Sequence, residues 1–329
     1  MPKRIRLRRE DCKSLVHLLD NGFSLSDSME ILDERSTHVI FTAIREKLAN
    51  GEAVVTFFGN YCPNDIQEYF TSFIRYMSFD QALSASISIV EKMEEEKKMI
   101  VKGMLYPVLL FIGVIAGIGI FAQFVLPSLI SMMSGFHIDG SDYELMQKVI
   151  LAGSRLFMIV LTVSIIIILV SLQKTNIVKT YRNVSRIREN AILVQYASSD
   201  FARFFLECER RGMSTSAILS VLKETKDKPL VAYIASEMDG HLLKGESFEE
   251  AVKACHVEKA LLKFFRIAVY ASDCTRMLEG YLDMVHLRTL AAIRRFSHCV
   301  QLVSYASVGI VLIFVYRVLM MPITMLQNI

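Results

Sequence analysis

Cysteine and histidine, the residues that most often bind metals or carry redox chemistry, are scattered along this chain. None of its six cysteines belongs to a Cys-x-x-Cys pair, and their spacings match no zinc module: Cys12, Cys62, Cys208, Cys255, Cys274 and Cys299. The seven histidines also stand at unrelated distances, which favours surface and capping roles. We therefore expect reduced thiols that act as small apolar residues, and no metal site.

Motifs of enzymes and nucleotide-binding proteins are also missing from the sequence. It contains no Walker A loop, no Gly-x-Gly-x-x-Gly turn, no Gly-x-Ser-x-Gly elbow and no His-Glu-x-x-His pair. A run of glutamates, Glu91 and Glu94 to Glu96, could bind a cation. However, Glu94 and Lys98 are four residues apart, which is typical of a solvated helix face. We expect no catalytic residue, no cofactor and no enzyme activity.

The composition is that of a membrane protein. Of the 329 residues 53% are hydrophobic, and the mean hydropathy is +0.38, whereas soluble domains are about 45–50% apolar. The net charge of +3 and the lack of a basic stripe with interleaved aromatics argue against direct nucleic-acid binding. No apolar segment follows the basic residues 1–10, so we expect no cleavable signal peptide.

Three segments are long and apolar enough to cross a bilayer, which takes about 20 helical residues. They are 104–130, 156–173 and 299–320, and only Arg317 interrupts the third. Basic residues flank the inner ends of all three: Lys97, Lys98, Lys102, Lys174, Lys179, Arg182, Arg186, Arg188, Arg288, Arg294 and Arg295. The positive-inside rule then places 1–103 and 174–298 in the cytoplasm, and the loop 131–155 and the tail 321–329 outside. We expect a multi-pass protein of the cytoplasmic (inner) membrane with a cytoplasmic N-terminus.

The two cytoplasmic regions resemble each other. In each, an apolar helical pattern ends at a glycine, and a serine or threonine soon after can cap the next helix. Gly22 thus corresponds to Gly212, and Gly51 to Gly245. Pro127 and Pro322 correspond in the same way near the ends of the first and third spans. Two similar bundles on one side of a membrane need a return crossing between them, which explains an odd number of spans.

Inside the predicted spans the polar side chains are uncharged at mid-depth, whereas transporters and intramembrane enzymes usually place an ionisable group there. Gly113 and Gly117 form a Gly-x-x-x-Gly pair, which lets another helix approach closely. We interpret this pair as a packing seam, either within the protein's own bundle or with a helix of a partner.

The order of these features resembles the F-domain family of type II secretion systems, the polytopic platform proteins of secretion, pilus and competence machines. The resemblance extends from about Leu15 to Ile329. It is carried by Asn-Gly-Phe-Ser-Leu (21–25), Asn-Gly-Glu (50–52), Leu-Tyr-Pro (105–107), Arg-Gly-Met-Ser (211–214), Lys-Gly-Glu-Ser-Phe (244–248) and Met-Pro-Ile (321–323). A Gly-Glu-x-x-Gly turn is common in the family. The matching stretches 76–80 and 271–275 lack its glutamate and glycines.

The resemblance implies an all-α membrane protein with two repeated cytoplasmic helical bundles and three transmembrane helices. Gly22, Gly51, Gly212, Gly245, Pro107, Pro127 and Pro322 would then be structural turns of the repeat. The implied partners are a cytoplasmic assembly ATPase, pilin-like subunits and further copies of the chain. The short segment before the first repeat is similar to competence pseudopilus members, although pilus and secretion machines stay open. A permease or transporter subunit is the alternative.

Reporter fusions test the predicted topology. A reporter inserted at Asp142 is expected to lie outside the cytoplasm, and one inserted at Lys226 inside it. The reason is that the second segment brings the chain back into the cytoplasm, and the chain leaves it again only at the third segment. Alkaline phosphatase and green fluorescent protein activities measure the two sides. Equal signals of the same reporter at both positions would contradict the three-span topology.

Overall fold

The computed structural model describes residues 6–33, 38–125, 176–187, 191–225, 228–271 and 273–326, with isolated positions between 127 and 173. Across these ranges the chain folds into thirteen α-helices and no strand. The all-α class predicted from the sequence is therefore confirmed.

Six helices form before the undescribed middle of the chain. They are α1 (Arg9–Asp20), α2 (Leu25–Asp33), α3 (His38–Ala49), α4 (Val54–Phe57), α5 (Asn64–Phe73) and α6 (Phe79–Ile120). A 3-10 turn, Phe58–Asn60, follows α4, and a π-helical turn, Phe121–Val125, continues α6.

Seven helices follow the undescribed middle of the chain. They are α7 (Ile177–Ile187), α8 (Ile192–Glu209), α9 (Thr215–Lys223), α10 (Pro229–Leu243), α11 (Phe248–Ala254), α12 (Lys259–Ala271) and α13 (Cys274–Leu326).

The chain packs as two compact units, and each is built from two separate stretches of sequence. The first unit comprises 1–96 and 173–286, and the second comprises 97–172 and 287–329. The hydrophobic core of the first unit draws side chains from both of its stretches. Tyr69 and Phe204, for example, place their rings 5.3 Å apart between centroids. Residues 1–96 and 173–286 therefore share one core.

The boundaries at 103/104 and 298/299 that the hydropathy pattern suggests fall inside α6 and α13. These two helices have 42 and 53 residues, so they are about 63 and 80 Å long. Each begins in the first unit and ends in the second. A helix satisfies its own backbone hydrogen bonds, so it need not end where the surrounding medium changes.

Two helical segments, Phe79–Val125 and Cys274–Ile313, are long and apolar enough to cross a membrane. Their most apolar stretches have mean hydropathies of 2.5 and 1.6, and 6% of each stretch is buried within the protein. They contain the first predicted span up to Val125 and much of the third. The predicted loop 131–155 and second span 156–173 lie outside the described residues, apart from isolated positions.

Four glycines end helices in the same way. Gly22, Gly51, Gly212 and Gly245 have φ values of +86°, +79°, +74° and +85°. At each, the glycine N–H and the following N–H donate back into the last helical turn. At the first, Gly22 donates to the carbonyl of Leu19, and the next residue donates to Leu18. This paired pattern is the Schellman motif, in which a left-handed glycine satisfies carbonyls that the helix leaves open.

The prolines behave differently from the glycines. Pro107 lies in the interior of α6, and Pro322 lies inside α13, which continues to Leu326. Pro127 also has helical backbone. The expectation that these prolines form turns does not match the two long helices. A proline removes one backbone hydrogen bond, and helices in apolar surroundings accommodate this by local adjustment.

Substitution of Gly212 by alanine tests the Schellman turn. A Cβ at this position would meet no atom within 4 Å, so any loss of stability must come from the left-handed backbone. We expect a loss of about 1–2 kcal/mol and a lower melting temperature, measured by circular dichroism of the detergent-purified chain.

Gly240→Ala is the matched control. Gly240 lies inside α10 and also has no atom within 4 Å of an added Cβ, but its φ is not positive. This change is expected to stabilise by about 0.5–1 kcal/mol. Equal melting temperatures for the two variants would contradict the backbone argument.

Candidate functional site: a buried charged seam

Helix α8 carries three charged side chains that are almost completely buried. Asp200, Arg203 and Glu207 are 3%, 3% and 1% exposed. They are buried because α8 is packed on nearly all sides, and every residue from Ala197 to Cys208 is buried. A buried charge strongly destabilises a fold unless it has opposite charges and hydrogen bonds around it. The partners of these three residues therefore define a site.

Most of those partners stand on one face of α6. The face consists of residues three or four positions apart: Gln81, Ser84, Ser88, Lys92 and Glu96. Ser88 and Lys92 bind Glu207, and Glu96 binds Arg203. As the numbers rise along α6 they fall along α8, so the two helices are antiparallel at this contact. We call these side chains, with Asp200, Arg203, Glu207, Arg210, Arg211 and Lys228, the charged seam.

Glu207 is the centre of the seam. Its Oε1 lies 2.8 Å from Lys92 Nζ, 2.9 Å from Ser88 Oγ and 3.1 Å from Arg210 Nη1. Arg211 donates through Nη1 to Oε2, at 2.9 Å. Burial acts to raise the pKa of Glu207, but the hydrogen bond and charge of Lys92, together with hydrogen bonds from Arg211 and Ser88, outweigh it and hold the pKa below 4.5. Glu207 is therefore a carboxylate under physiological conditions.

Arg211 extends the seam to the beginning of α6. Its Nε donates to the carbonyl oxygen of Gln81 at 3.1 Å, and its Nη2 to Ser84 Oγ at 3.3 Å. Arg211 immediately precedes Gly212, so the Schellman turn at that glycine fixes where the arginine begins. A turn predicted from local sequence thus positions a residue of the seam.

Asp200 and Arg203 form the other end of the seam. Arg203 pairs with Glu96 and, through Nη1 at 3.4 Å, with Asp200. Lys228 Nζ lies 2.6 Å from Asp200 Oδ2 and 3.2 Å from the Tyr196 hydroxyl. Burial acts to lower the pKa of Lys228, but the nearby charge of Asp200 and the hydroxyl of Tyr196 raise it further than burial lowers it. The lysine is therefore permanently charged.

A second, exposed contact joins the same two stretches of sequence. Arg75 Nη1 lies 2.7 Å from Glu224 Oε2, and the Tyr76 hydroxyl donates to the other oxygen at 3.2 Å. The Arg75 and Glu224 side chains are 62% and 40% exposed, so solvent screens this pair. The buried seam, rather than this exposed ion pair, sets the geometry of the contact between the two stretches of sequence.

The seam fixes one arrangement of α6 against α8. Apolar side chains tolerate sliding, but a displacement by one helical turn would place Glu207 and Arg203 against the wrong partners. Buried ion pairs add little net stability compared with apolar packing, and their best-attested role is to specify register. In chemical terms the seam is a network of ion pairs and hydrogen bonds that joins α6 to α8 and to Lys228.

The structure places the glycine pair of the second unit in an open groove. Gly113 and Gly117 line a space of about 570 Å³ with Val308, Val311 and Leu312 of α13. No described atom lies within 4 Å of an added Cβ at either glycine. Within the described part of the chain, the predicted packing seam has no close neighbour.

Sequence reasoning missed the charged seam and misread part of the glutamate run. Glu91 and Glu94 form ion pairs with α1, through Lys13 and Arg9, and Glu96 binds the buried Arg203. The glutamate run is therefore only partly solvated, and its members lie on more than one face of α6. The signal that could have revealed the seam is α8 itself, because a helix that is apolar on most sides must bury its few charges.

No protein-family model and no curated protein matches the chain.

The six cysteines are free thiols, and burial raises the pKa of Cys208 and of Cys255 to about 12, so both are unreactive. Among the described residues, no three His, Cys, Asp or Glu side chains are grouped so that they could hold a metal ion.

Glu207→Gln tests the centre of the seam. The amide keeps the shape but leaves Lys92, Arg210 and Arg211 without their shared counter-charge. We expect a loss of about 3 kcal/mol or more. The control is Glu224→Gln in the exposed pair, which is expected to cost less than about 1 kcal/mol. Chemical unfolding of the detergent-purified chain measures both, and similar losses would contradict the central role of Glu207.

The seam also predicts how stability depends on pH. The folded pKa of Glu207 is below its ordinary value of 4.5, so its contribution is complete above the unfolded pKa and is lost as the pH falls through the folded pKa. The difference in melting temperature between wild type and Glu207→Gln is therefore expected to shrink as the pH falls below 4.5. A constant difference across this range would exclude the carboxylate as its source.

Proposed function

We propose that this chain is the platform subunit of a filament-assembly machine in the cytoplasmic membrane, of the type II secretion, type IV pilus or competence pseudopilus kind. It would couple a cytoplasmic assembly ATPase to the insertion of pilin-like subunits into a filament. The proposal is carried by one observation: the same order of helices occurs twice, and each copy ends in a long helix with an apolar segment.

The two copies correspond element by element. A first helix ends at a glycine turn, at Gly22 in α1–α6 and at Gly212 in α8–α13. The next helices, α2 and α9, both have nine residues. The third helices, α3 and α10, end at Gly51 and Gly245, and a short helix, a medium helix and a very long helix follow in both copies. This agreement supports a duplicated bundle and the family resemblance based on the same turns.

The connectivity supports three crossings. The chain leaves the first unit through α6 and is again part of that unit from Gln173 onwards. If α6 crosses a bilayer, the chain must cross a second time before it re-enters a unit that lies on one side. The sequence predicts that crossing at 156–173. A final exit through α13 makes the total odd.

The charged seam and the long helices suggest how force could be transmitted. Because α6 is held in register against α8 by buried ion pairs, the two bundles would move together when a partner pushes on the first unit. Helices α6 and α13 continue without a break into their apolar segments, so they would carry that motion into the bilayer. Because the sequence contains no nucleotide-binding motif, a partner ATPase would supply the energy.

Affinity purification tests the proposed partners. The tagged chain, extracted from membranes with a mild detergent, is expected to recover a hexameric-type ATPase and single-span pilin-like proteins, identified by mass spectrometry against an untagged strain. Deletion of the gene should abolish filament assembly. Recovery of substrate-binding or transporter ATPase subunits, with filaments intact after deletion, would contradict the proposal and indicate a permease.

Lys97→Pro tests whether α6 acts as a continuous lever. Lys97 is exposed and is the first residue of the second unit on α6. Proline inside a helix costs about 3 kcal/mol and kinks it, whereas alanine leaves the helix intact. We expect Lys97→Ala to restore filament assembly in the deletion strain and Lys97→Pro to fail, at equal amounts of membrane-inserted protein. Equal complementation would exclude a rigid α6 from the mechanism.

A further inference from the structure

Helix α7 has one buried face and one strongly basic face. Tyr181 and Ser185 are 1% and 2% exposed and attach the helix to the first unit. Lys179, Arg182 and Arg186 are exposed. Their spacing of three and four residues places them in one stripe along the helix, about 10 Å long.

Among the described residues the stripe has no ion-paired counter-charge, although Glu237 of α10 lies close enough to act on the same Tyr233 hydroxyl as Arg182 and Arg186. Helix α7 contains no Asp or Glu. Within the part of the chain that the structure describes, Lys179, Arg182 and Arg186 form no ion pair, whereas Arg9, Lys92, Arg203 and Lys228 of the same unit all do. Three adjacent cations that form no ion pair favour an anionic partner.

Two exposed aliphatic side chains that follow the stripe in sequence indicate what kind of anionic partner it is. Ile187, the last residue of α7, is 86% exposed, and Ile192, at the start of α8, is 85% exposed. Nucleic acids and acidic peptides neutralise cations but offer little apolar surface for isoleucine. A bilayer surface offers both, because anionic headgroups lie next to acyl chains, and basic amphipathic helices with exposed apolar residues lie in that interface.

The position of α7 in the chain agrees with such a surface. On the topology proposed above, the second span ends at residue 173, and α7 begins only four residues later. Four residues reach at most about 14 Å, so the start of α7 stays near the headgroup layer.

We propose that α7 lies on the cytoplasmic face of the bilayer and binds anionic phospholipid headgroups through Lys179, Arg182 and Arg186, with Ile187 inserted at the level of the acyl chains. The inference rests on the proposed membrane topology, but it does not depend on the ATPase or the pilin-like partner. It would anchor the first unit to the membrane surface at a second place besides the long helices.

The absence of tryptophan from the chain makes a direct test possible. Ile187→Trp introduces the only indole into the full-length protein, which is reconstituted into nanodiscs of phosphatidylcholine alone or with phosphatidylglycerol. We expect blue-shifted emission, quenching by brominated acyl chains and poor quenching by aqueous acrylamide in the anionic discs. Each bound cation favours the anionic surface by about fivefold, so neutralising three should reduce that preference by on the order of 100-fold.

Two variants with the same loss of charge separate the stripe from general electrostatics. The first triple variant combines Lys179→Gln, Arg182→Gln and Arg186→Gln. In this variant we expect acrylamide to quench the indole fluorescence again. The control combines Lys244→Gln, Lys253→Gln and Lys263→Gln, at exposed lysines elsewhere in the first unit. This variant should leave the indole protected from acrylamide. The circular dichroism of both triple variants should match that of the parent.

The outcomes distinguish the possible failures. Equal acrylamide access in neutral and anionic discs, or protection that both triple variants retain, would overturn the lipid-binding role of α7. Protection by an oligonucleotide or an acidic peptide in detergent, without protection by anionic discs, would overturn it in favour of a macromolecular partner. Extraction of the wild-type chain from membranes by alkaline carbonate would instead refute the membrane topology itself.

Discussion

The burial of charge on α8 is the constraint on which the first unit depends. Glu207, Arg203 and Asp200 lie in an environment where an unpaired ion would be very costly, and Glu207 and Arg203 have their partners on α6. Two stretches separated by more than a hundred residues in sequence are therefore held in one register. Apolar packing alone, such as that between Tyr69 and Phe204, would bring the stretches together without fixing their alignment.

This constraint gives the long helices their significance. Helix α6 carries part of the seam near its beginning and an apolar segment near its end, and a single unbroken backbone joins the two. The charged seam therefore determines the position of the beginning of α6 within the first unit. In the proposed platform, that continuity would turn a push on the cytoplasmic bundles into a displacement in the bilayer, while α7 would hold the bundles close to the membrane surface.

Local sequence signals predict the glycine turns well. The turns at Gly22, Gly51, Gly212 and Gly245 depend on a backbone conformation that glycine adopts more easily than any other residue, so the residue type alone points to them. The prolines gave a weaker signal. Pro107 and Pro322 lie in helices, because a helix in apolar surroundings accommodates the one backbone hydrogen bond that a proline removes by local adjustment. The local pattern predicts a solvated face for the glutamates of α6, because their partners, Arg9, Lys13 and Arg203, are distant in sequence.

By itself, the sequence determined the all-helical class, the positions of the glycine turns and two apolar segments long enough to cross a membrane, whereas the full lengths of α6 and α13 came from the structure. Each of the features read from the sequence follows from residue type or periodicity within one segment. Only the tertiary structure decided that residues 1–96 and 173–286 share one core and that Glu207 meets Lys92. It also decided that the basic stripe of α7 remains unpaired within the described residues. The energy of a buried charge depends on which distant residues surround it, and no local pattern contains that information.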